Sequence, residues 1–269
     1  MPSIRRVDME RYGPWALVTG GAMGIGGAFA TALAGAGLSL VLVDRDTEAL
    51  AAITGSLRAT GVDVVPVSLD LASEGADEKI LAVIEKLDVG LFVSNAAISV
   101  VGRFTDQSLA SKLAQLDVNC RMPLVIVDHL LPRLIARGRG GIILLSSGSA
   151  MRGSPLVAAY AATKAWNLVL AESLWDEVRA DGVDVLAVLP GTTRTPGWLS
   201  DDPQDSLSTA NVMEPADVVA EALDALGRQP SLVPGQANRD AEAFMGGLDR
   251  AEAVSIVGKV MRQTYPGRG

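Results

Sequence analysis

Thr19-Gly20-Gly21-Ala22-Met23-Gly24-Ile25-Gly26 follows the apolar run Trp15–Val18 and opens a helix-length stretch at 24–36. Glycines in a strand-to-helix turn let the backbone approach a pyrophosphate, and the first N–H groups of the helix, with its positive dipole end, face that anion. A merely architectural turn would use the same residues, so the turn alone leaves both readings open. No Gly-Lys-Ser/Thr follows, which excludes the phosphate loop of nucleotide hydrolases. Phe29 stands where the third glycine of a Gly-x-Gly-x-x-Gly pattern would fall. Repetition decides the fold. Apolar runs rich in β-branched residues recur at Leu38–Val43, Val62–Val67, Val89–Val93, Gly141–Leu145 and Val183–Leu189, with helix-length segments at 46–60, 73–87, 105–137, 156–180 and 214–227. Near-continuous apolarity marks strands covered on both faces. The alternation predicts an α/β protein with one doubly wound parallel sheet and helices on both faces, a single domain over 1–269.

Composition narrows the function. The 269 residues carry 23 Lys and Arg against 31 Asp and Glu, a formal charge of −8, which argues against nucleic-acid and anionic-membrane partners. One cysteine, Cys120, excludes an internal disulfide, and with the one histidine, His129, it leaves no inventory for a metal centre or a Ser-His-Asp mechanism. Cys120 reads as a small core residue and His129 as a helix-surface residue. No apolar stretch follows the arginines of MPSIRRVDMERYGPW, so it is not read as a signal peptide, and no run reaches membrane-helix length. The expected location is the cytoplasm.

Polar residues at strand ends carry the chemistry. Asp44 ends the second run, about 20 residues beyond the glycines, where a carboxylate accepts from the adenosine ribose hydroxyls and repels a 2′-phosphate. This favours NAD, although the adjacent Arg45 is able to pair with that phosphate and keeps NADP open. Asp70, after the third run, suits either an adenine contact or a helix cap. Tyr160 and Lys164 are four apart on a predicted helix and share a face. Ser147 ends the fifth run, and Asn119 falls inside the long helical segment 105–137, where asparagine is a poor helix former.

Thr19–Gly26, Asn95-Ala96-Ala97, Asn119, Ser147, Tyr160-Ala-Ala-Thr-Lys164 and Pro190-Gly191, in this order over about residues 13–235, resemble the short-chain dehydrogenase/reductase family. The resemblance implies a Rossmann-type fold, a nicotinamide cofactor and Asn119, Ser147, Tyr160 and Lys164 as the catalytic set. Tyr160 would be the general acid/base, Ser147 would fix the substrate oxygen, Lys164 would hold the nicotinamide ribose, and Asn119 would hold a water beside it. Cofactor contacts are implied from Gly20, Ala22, Met23, Gly24, Ile25 and Gly26 in the turn, and from Asp44, Arg45, Asp70 and Leu71 after the next strands. Further contacts are implied from Asn95, Ala96 and Ala97, from Tyr160 and Lys164, and from Pro190, Gly191, Thr193 and Thr195. Ala97 replaces the glycine common in the family, and Thr193 replaces an aliphatic residue.

Tyr12-Gly13-x-Trp15, Gly191-Thr192-Thr193-x-Thr195-Pro196, Leu199-Ser200 and Gly235-Gln236-x-Asn238-x-Asp240 are similar to a bacterial 7β-hydroxysteroid dehydrogenase-like subgroup, which has Gly-Arg where this chain has Asp44-Arg45. The expected reaction is hydride transfer between a nicotinamide cofactor and a bulky secondary alcohol or ketone, a hydroxysteroid or another alicyclic compound. The alternatives are a 3-oxoacyl thioester reductase, for which Arg103, Arg152 and Arg194 are the candidate basic rim, and a non-catalytic dinucleotide sensor. A long polar stretch at 191–213 suits a substrate lid, with Trp198 and Leu199 either on the lid or in a subunit contact. Asp201, Asp202 and Asp205 read as solvated charge. The tail from 239 reads as a final amphipathic helix (Phe244, Leu248, Val254, Val257, Val260, Met261) lying on the body or on a partner chain. A homodimer or homotetramer through the segments 105–137 and 156–180 is expected.

Overall fold

A computed structural model describes residues 7–204 and 210–268. Seven strands, β1 (Trp15–Thr19), β2 (Ser39–Asp44), β3 (Val64–Ser68), β4 (Val89–Ser94), β5 (Gly140–Leu145), β6 (Val183–Val188) and β7 (Ser231–Leu232), form one parallel sheet in the order β3-β2-β1-β4-β5-β6-β7. Along each strand the side chains alternate between two cores. Val18, Leu40, Leu42, Val93, Ile143 and Val188 face one, while Leu17, Val41, Val43, Phe92, Ile142 and Val185 face the other. Both sets are buried, which is why these runs lack the polar alternation of a half-exposed strand.

The helices, in chain order, are α1 (Met9–Tyr12), α2 (Gly24–Gly35), α3 (Thr47–Arg58), α4 (Ala76–Ile84), α5 (Leu109–Leu116), α6 (Met122–Arg137), α7 (Ala158–Val178), α8 (Pro196–Ser200), α9 (Pro215–Ala225), α10 (Gln236–Gly246) and α11 (Arg250–Thr264). Helices α2, α3 and α9 cover one face of the sheet, and α4, α6 and α7 the other. At the opposite end from the glycine turn, Tyr12 lies beneath β5, its ring about 3.0 Å from where a Cβ on Gly141 would stand, and its hydroxyl donates to Asp184 at 2.6 Å. Arg11 donates to the same carboxylate, giving the Tyr12-Gly13-x-Trp15 motif an architectural role.

Two expectations change. The segment 105–137 is not one helix: a π turn at Asp117–Arg121 separates α5 from α6. It is the extra residue of that turn that accommodates Asn119. The tail is two helices, α10 and α11, rather than one. The stretch 191–213 holds α8 and a bridge between Thr193 and Met213, so both ends of it are structured.

The sheet reverses its strand order between β1 and β4, and the glycine turn sits at that reversal. Gly20 has φ +61°, and a Cβ on Gly26 would stand 1.9 Å from the Gly20 carbonyl oxygen. The turn exists only because both lack side chains. Gly26→Ala is therefore expected to lower stability by about 3 kcal/mol through overpacking. Chemical denaturation measures this, and a change within a few tenths of a kcal/mol would contradict the close approach.

Candidate active site

Outside the carboxyl ends of β1 and β4 lies a cavity of about 330 Å³. Gly20, Gly24 and Ile25 of the turn line it, with Met23, 41% exposed, at the mouth. Asp44 and Arg45 enter from β2, Asp70 and Leu71 from beyond β3, and Asn95, Ala96 and Ala97 from β4. Thr195 closes the side nearest β6, its methyl 3.1 Å from where a Cβ on Gly24 would stand. A dinucleotide fits such walls: glycine backbone at the start of a helix for the pyrophosphate, and carboxylates at the strand ends for the sugar.

Several of these residues also build the walls. One carboxylate oxygen of Asp44 accepts from the Ala22 N–H at 3.0 Å and the other from the Asp46 N–H at 3.1 Å, so Asp44 braces the glycine turn while lining the cavity. Asp70 likewise accepts from the Ala72 N–H at 2.9 Å, so it both caps a turn and lines the cavity. The Asn95 amide donates to the carbonyls of Thr19 and Gly20 at 3.1 and 2.9 Å, tying β4 to the turn across the strand-order reversal. Ala22 and Gly26 shape the turn without lining the cavity. Pro190, Gly191 and Thr193 also lie outside its walls. Pro190 accepts from the Gly148 N–H at 2.9 Å. Gly191 abuts the Asn238 side chain, and the buried Thr193 donates to the Gly191 carbonyl at 3.1 Å.

Asn119, Ser147, Tyr160 and Lys164 do not line this cavity, and Asn119 is tied to it through Ile98, which does. The Asn119 side chain makes a two-point pairing with the backbone of Ile98, accepting from its N–H at 2.8 Å and donating to its carbonyl at 2.9 Å. It also donates to the Thr163 hydroxyl at 2.9 Å. Its amide thus holds the chain after β4 against α7. The backbone carbonyl of Asn119 in turn accepts from Asn167 at 2.8 Å. Ser147 precedes a short 3-10 turn, and its hydroxyl accepts from the Ser149 N–H at 3.2 Å.

Burial pushes the Tyr160 phenol above its ordinary value, and the neighbouring Ser147 hydroxyl opposes that shift. Lys164 is 3% exposed, with its amine 5.6 Å from the centre of the Tyr160 ring and donating to the Leu145 carbonyl at 2.6 Å. Burial disfavours the ammonium and brings Lys164 down to about 8. A phenol, a hydroxyl within its reach and a buried amine on one helix face form a proton-exchange site for an oxygen placed against Tyr160.

The remaining candidates are architectural. Burial pushes the Cys120 thiol up to about 11, which leaves it an inert thiol at neutral pH. His129 meets Glu85 at 3.0 Å on the helix surface. Asp201 is half-buried and its carboxyl is pushed up by that burial, unlike the solvated charge expected of it, and Asp205 lies outside the described residues. Sequence reasoning passed over Thr163, which holds Asn119, and Ile98, Val118, Pro196 and Gly197, which line the cavity. It also passed over Tyr265. This residue lies in one buried cluster with Val101, Leu156 and Val157, with Tyr160 and Met261 packed against it. The tail therefore lies on its own chain. Met261 was visible as an apolar position of the tail, but no local pattern joins segments a hundred residues apart.

The short chain dehydrogenase profile matches residues 14–205. The chain belongs to the short-chain dehydrogenase family. It is an oxidoreductase of the kind that uses a nicotinamide cofactor. It is 30% identical to the 7beta-hydroxysteroid dehydrogenase of Clostridium sardiniense over 93% of this chain and 97% of that protein. With that of Collinsella aerofaciens it shares 34% identity over 86% of this chain and 90% of that one. A solved structure from work on 7beta-hydroxysteroid dehydrogenase stereoselectivity superposes with a TM-score of 0.87 at 31% identity, covering 93% of this chain and 98% of the other. A short-chain dehydrogenase from Sphingobium yanoikuyae in complex with NADPH superposes with a TM-score of 0.75 at 28% identity, covering 88% and 97%. Among the described residues of this family member, no helix is long and apolar enough to cross a membrane.

The depressed value of Lys164 has a stability consequence. Its folded value of about 8 lies below the ordinary 10.5, so between these the unfolded chain holds more protons than the folded one. The penalty for burying the charge is present in full below pH 8 and vanishes as pH rises towards 10.5. The unfolding free energy of the wild type minus that of Lys164→Met should rise by about 3 kcal/mol across this window. Paired denaturation curves at pH 7 to 10.5 measure it, and a flat difference would contradict the burial.

Proposed function

We propose that this dehydrogenase interconverts a bulky secondary alcohol, a hydroxysteroid or another alicyclic compound, and its ketone, with NAD in preference to NADP. The observation that carries the reading is the meeting of Ser147, Tyr160 and Lys164, with an apolar cluster against Tyr160 and with Asn119 joining their helix to a cavity lined by the glycine turn and Asp44. The nicotinamide, when bound, accepts or supplies the hydride. The protein's own residues do the rest. Tyr160 takes the hydroxyl proton of the alcohol on oxidation and returns it to the carbonyl oxygen on reduction. Ser147 hydrogen-bonds the same oxygen and keeps it at Tyr160. In this reading Lys164, with its amine 5.6 Å from the centre of the Tyr160 ring, favours the tyrosinate and holds the ribose hydroxyls. The cluster of Val101, Leu156, Val157 and Met261 packed against Tyr160 gives the phenol apolar surroundings, in keeping with the names of the bacterial relatives.

The choice of NAD rests on Asp44. Its carboxylate lines the cavity with both oxygens fixed, so it meets a 2′-phosphate with like charge, whereas Arg45 is exposed. Two of the three arginines of the basic rim that an acyl-carrier or coenzyme A thioester needs are engaged: the Arg152 side chain is 9% exposed and makes two bonds to Glu242, and Arg194 pairs with Glu214 at 2.8 Å, while Arg103 is exposed. This weighs against the thioester reading. A homo-oligomer is also part of the proposal. Leu109, Leu113 and Leu116 on α5, Leu124 on α6 and Val169 on α7 are exposed, and the α5 trio follows the i, i+4, i+7 spacing of a helix contact face.

Tyr160→Phe is expected to lower kcat by about a thousandfold or more while changing cofactor affinity by no more than about threefold. Steady-state rates on hydroxysteroids and cyclic alcohols, beside NADH fluorescence titration, provide the test, and substantial residual turnover would overturn the role. Asp44→Ala should cut the discrimination between NAD and NADP by about tenfold or more. An unchanged ratio of kcat/KM for the two cofactors would show that the preference lies elsewhere.

A further inference from the structure

The loop from Ser147 to Tyr160 is pinned at both ends. At its start the Ser146 N–H donates to the Val188 carbonyl at 2.7 Å and the Gly148 N–H to the Pro190 carbonyl at 2.9 Å, which ties Ser147 to the end of β6. The Ala150 N–H closes a tight turn on the Ser147 carbonyl at 2.9 Å. At the far end Leu156 has φ 68°, a left-handed conformation that a non-glycine residue keeps only under constraint, and its carbonyl accepts from the Gly102 N–H at 2.9 Å.

The tight turn sets Ser149 against the Ser147 hydroxyl. Ser147 Oγ accepts from the Ser149 N–H at 3.2 Å and from the Ser149 hydroxyl at 3.0 Å. A serine hydroxyl has two acceptor lone pairs and one proton to donate. One residue takes both lone pairs, so the proton is what Ser147 has left to offer. Tyr160 carries the mark of such a donor. Burial raises its phenol and the Ser147 hydroxyl opposes the rise, as a group that donates to the phenolate does.

We infer that Ser149 is a positioning residue for the proposed reaction: by donating twice to Ser147, it makes that hydroxyl a one-way donor towards Tyr160 and the substrate oxygen. This rests on the reading of Tyr160 as the proton-exchanging group. On oxidation the alcohol proton passes to Tyr160, while Ser147 keeps its own proton and donates to the oxygen that is becoming a carbonyl. On reduction that oxygen accepts from Ser147 and takes its proton from Tyr160. Hydroxyls that donate in one direction along a chain strengthen the last donor, so the Ser149 hydroxyl adds to what its N–H does. The titratable groups facing Tyr160 are Lys164 on its own helix and Tyr265 from the end of the chain, with the apolar Val101, Leu156, Val157 and Met261 around them. Neither is altered by a substitution at Ser149, so the Tyr160 titration reads the Ser147 hydroxyl.

Ser149→Ala removes the hydroxyl donor and leaves the N–H, whereas Ser149→Thr keeps both. Isotope labelling of the tyrosines at Cζ follows each phenol by magnetic resonance in the full chain without substrate, and Tyr160→Phe assigns the Tyr160 signal among the three tyrosines. The Tyr160 titration should move up by about half a pH unit or more in Ser149→Ala, and by no more than about 0.2 in Ser149→Thr. With NAD and a secondary alcohol, kcat should fall about fivefold or more in Ser149→Ala, with KM for NAD within about twofold of wild type. The acid limb of its pH profile should move up with the titration, and Ser149→Thr should recover most of the rate. An unmoved titration in Ser149→Ala overturns the role of Ser149 whatever happens to kcat, because a purely structural loss lowers the rate without moving it. A Ser149→Thr as impaired as Ser149→Ala overturns it as well. A wild type that oxidises no secondary alcohol, like a Tyr160→Phe that stays active, sinks the proposed function instead, and the Cζ titration still judges the hydroxyl chain.

Discussion

Burying a lysine amine is among the costliest things a fold can do, and Lys164 stays in the core at 3% exposure because the polar groups around it are paired. Its amine donates to the Leu145 carbonyl, while the next residue of that strand end, Ser146, sends its hydroxyl back to the Lys164 carbonyl at 2.7 Å. These two bonds cross between the end of β5 and α7 in opposite directions. They set the depth at which α7 sits against the sheet, and therefore where Tyr160, one turn earlier, presents its phenol. A shift of α7 along its axis would break both bonds inside a dry interface, at a cost of about 1–3 kcal/mol for each group left unpaired.

The same lattice continues sideways. Thr163 donates to the Tyr160 carbonyl at 2.7 Å and accepts from Asn119, and Asn167 bonds the carbonyls of Asn119 and Thr163 at 2.8 and 3.0 Å. A regular helix through 117–121 would use the Asn119 carbonyl in its own ladder. The π turn supplies the irregularity that lets Asn167 take it instead. The asparagine side chain, now facing β4, clamps Ile98, which lines the dinucleotide cavity. Cofactor wall and proton-exchanging phenol are therefore joined through Asn119 and Thr163, two residues that need touch neither substrate nor cofactor.

What was legible in the sequence follows from what is local. β1, β2, β4, β5 and β6 are doubly covered, so their unbroken apolar runs stood out, while the edge strand β3 keeps only Val64 fully buried. β7 has only two residues, Ser231 and Leu232, and leaves no pattern. The glycine turn, Asp44 and the Tyr160–Lys164 pair were visible because each needs a residue type at a strand end or on one helix face. The π turn was not, since Asp117–Arg121 has the composition of any helical segment and its register change depends on Asn167, 48 positions on. The same holds for Tyr265. Its neighbours come from Val101, from the Leu156–Tyr160 region and from α8, and a tyrosine near the end of a chain carries no signal of them. The Gly235 and Asn238 motif was seen without its purpose. Asn238 donates to the Pro234 carbonyl at 2.8 Å and fills the space beside Gly191, fixing where α10 starts.

The apolar surroundings of the site fall into separate units with unequal holds on the fold. The cofactor cavity is built on the two large cores that sandwich the sheet, and its shape is inseparable from global stability. The cluster around Tyr265 is a third unit with four buried members, Val101, Leu156, Val157 and Tyr265. Small satellite clusters open more readily than the main core, because fewer buried contacts are lost at once. This division means that residues of the tail are free to vary in size without disturbing the cradle for the dinucleotide. The strain held at Leu156 belongs to this unit rather than to the sheet. That placement keeps the backbone cost next to the phenol it serves and away from the strands that carry the fold.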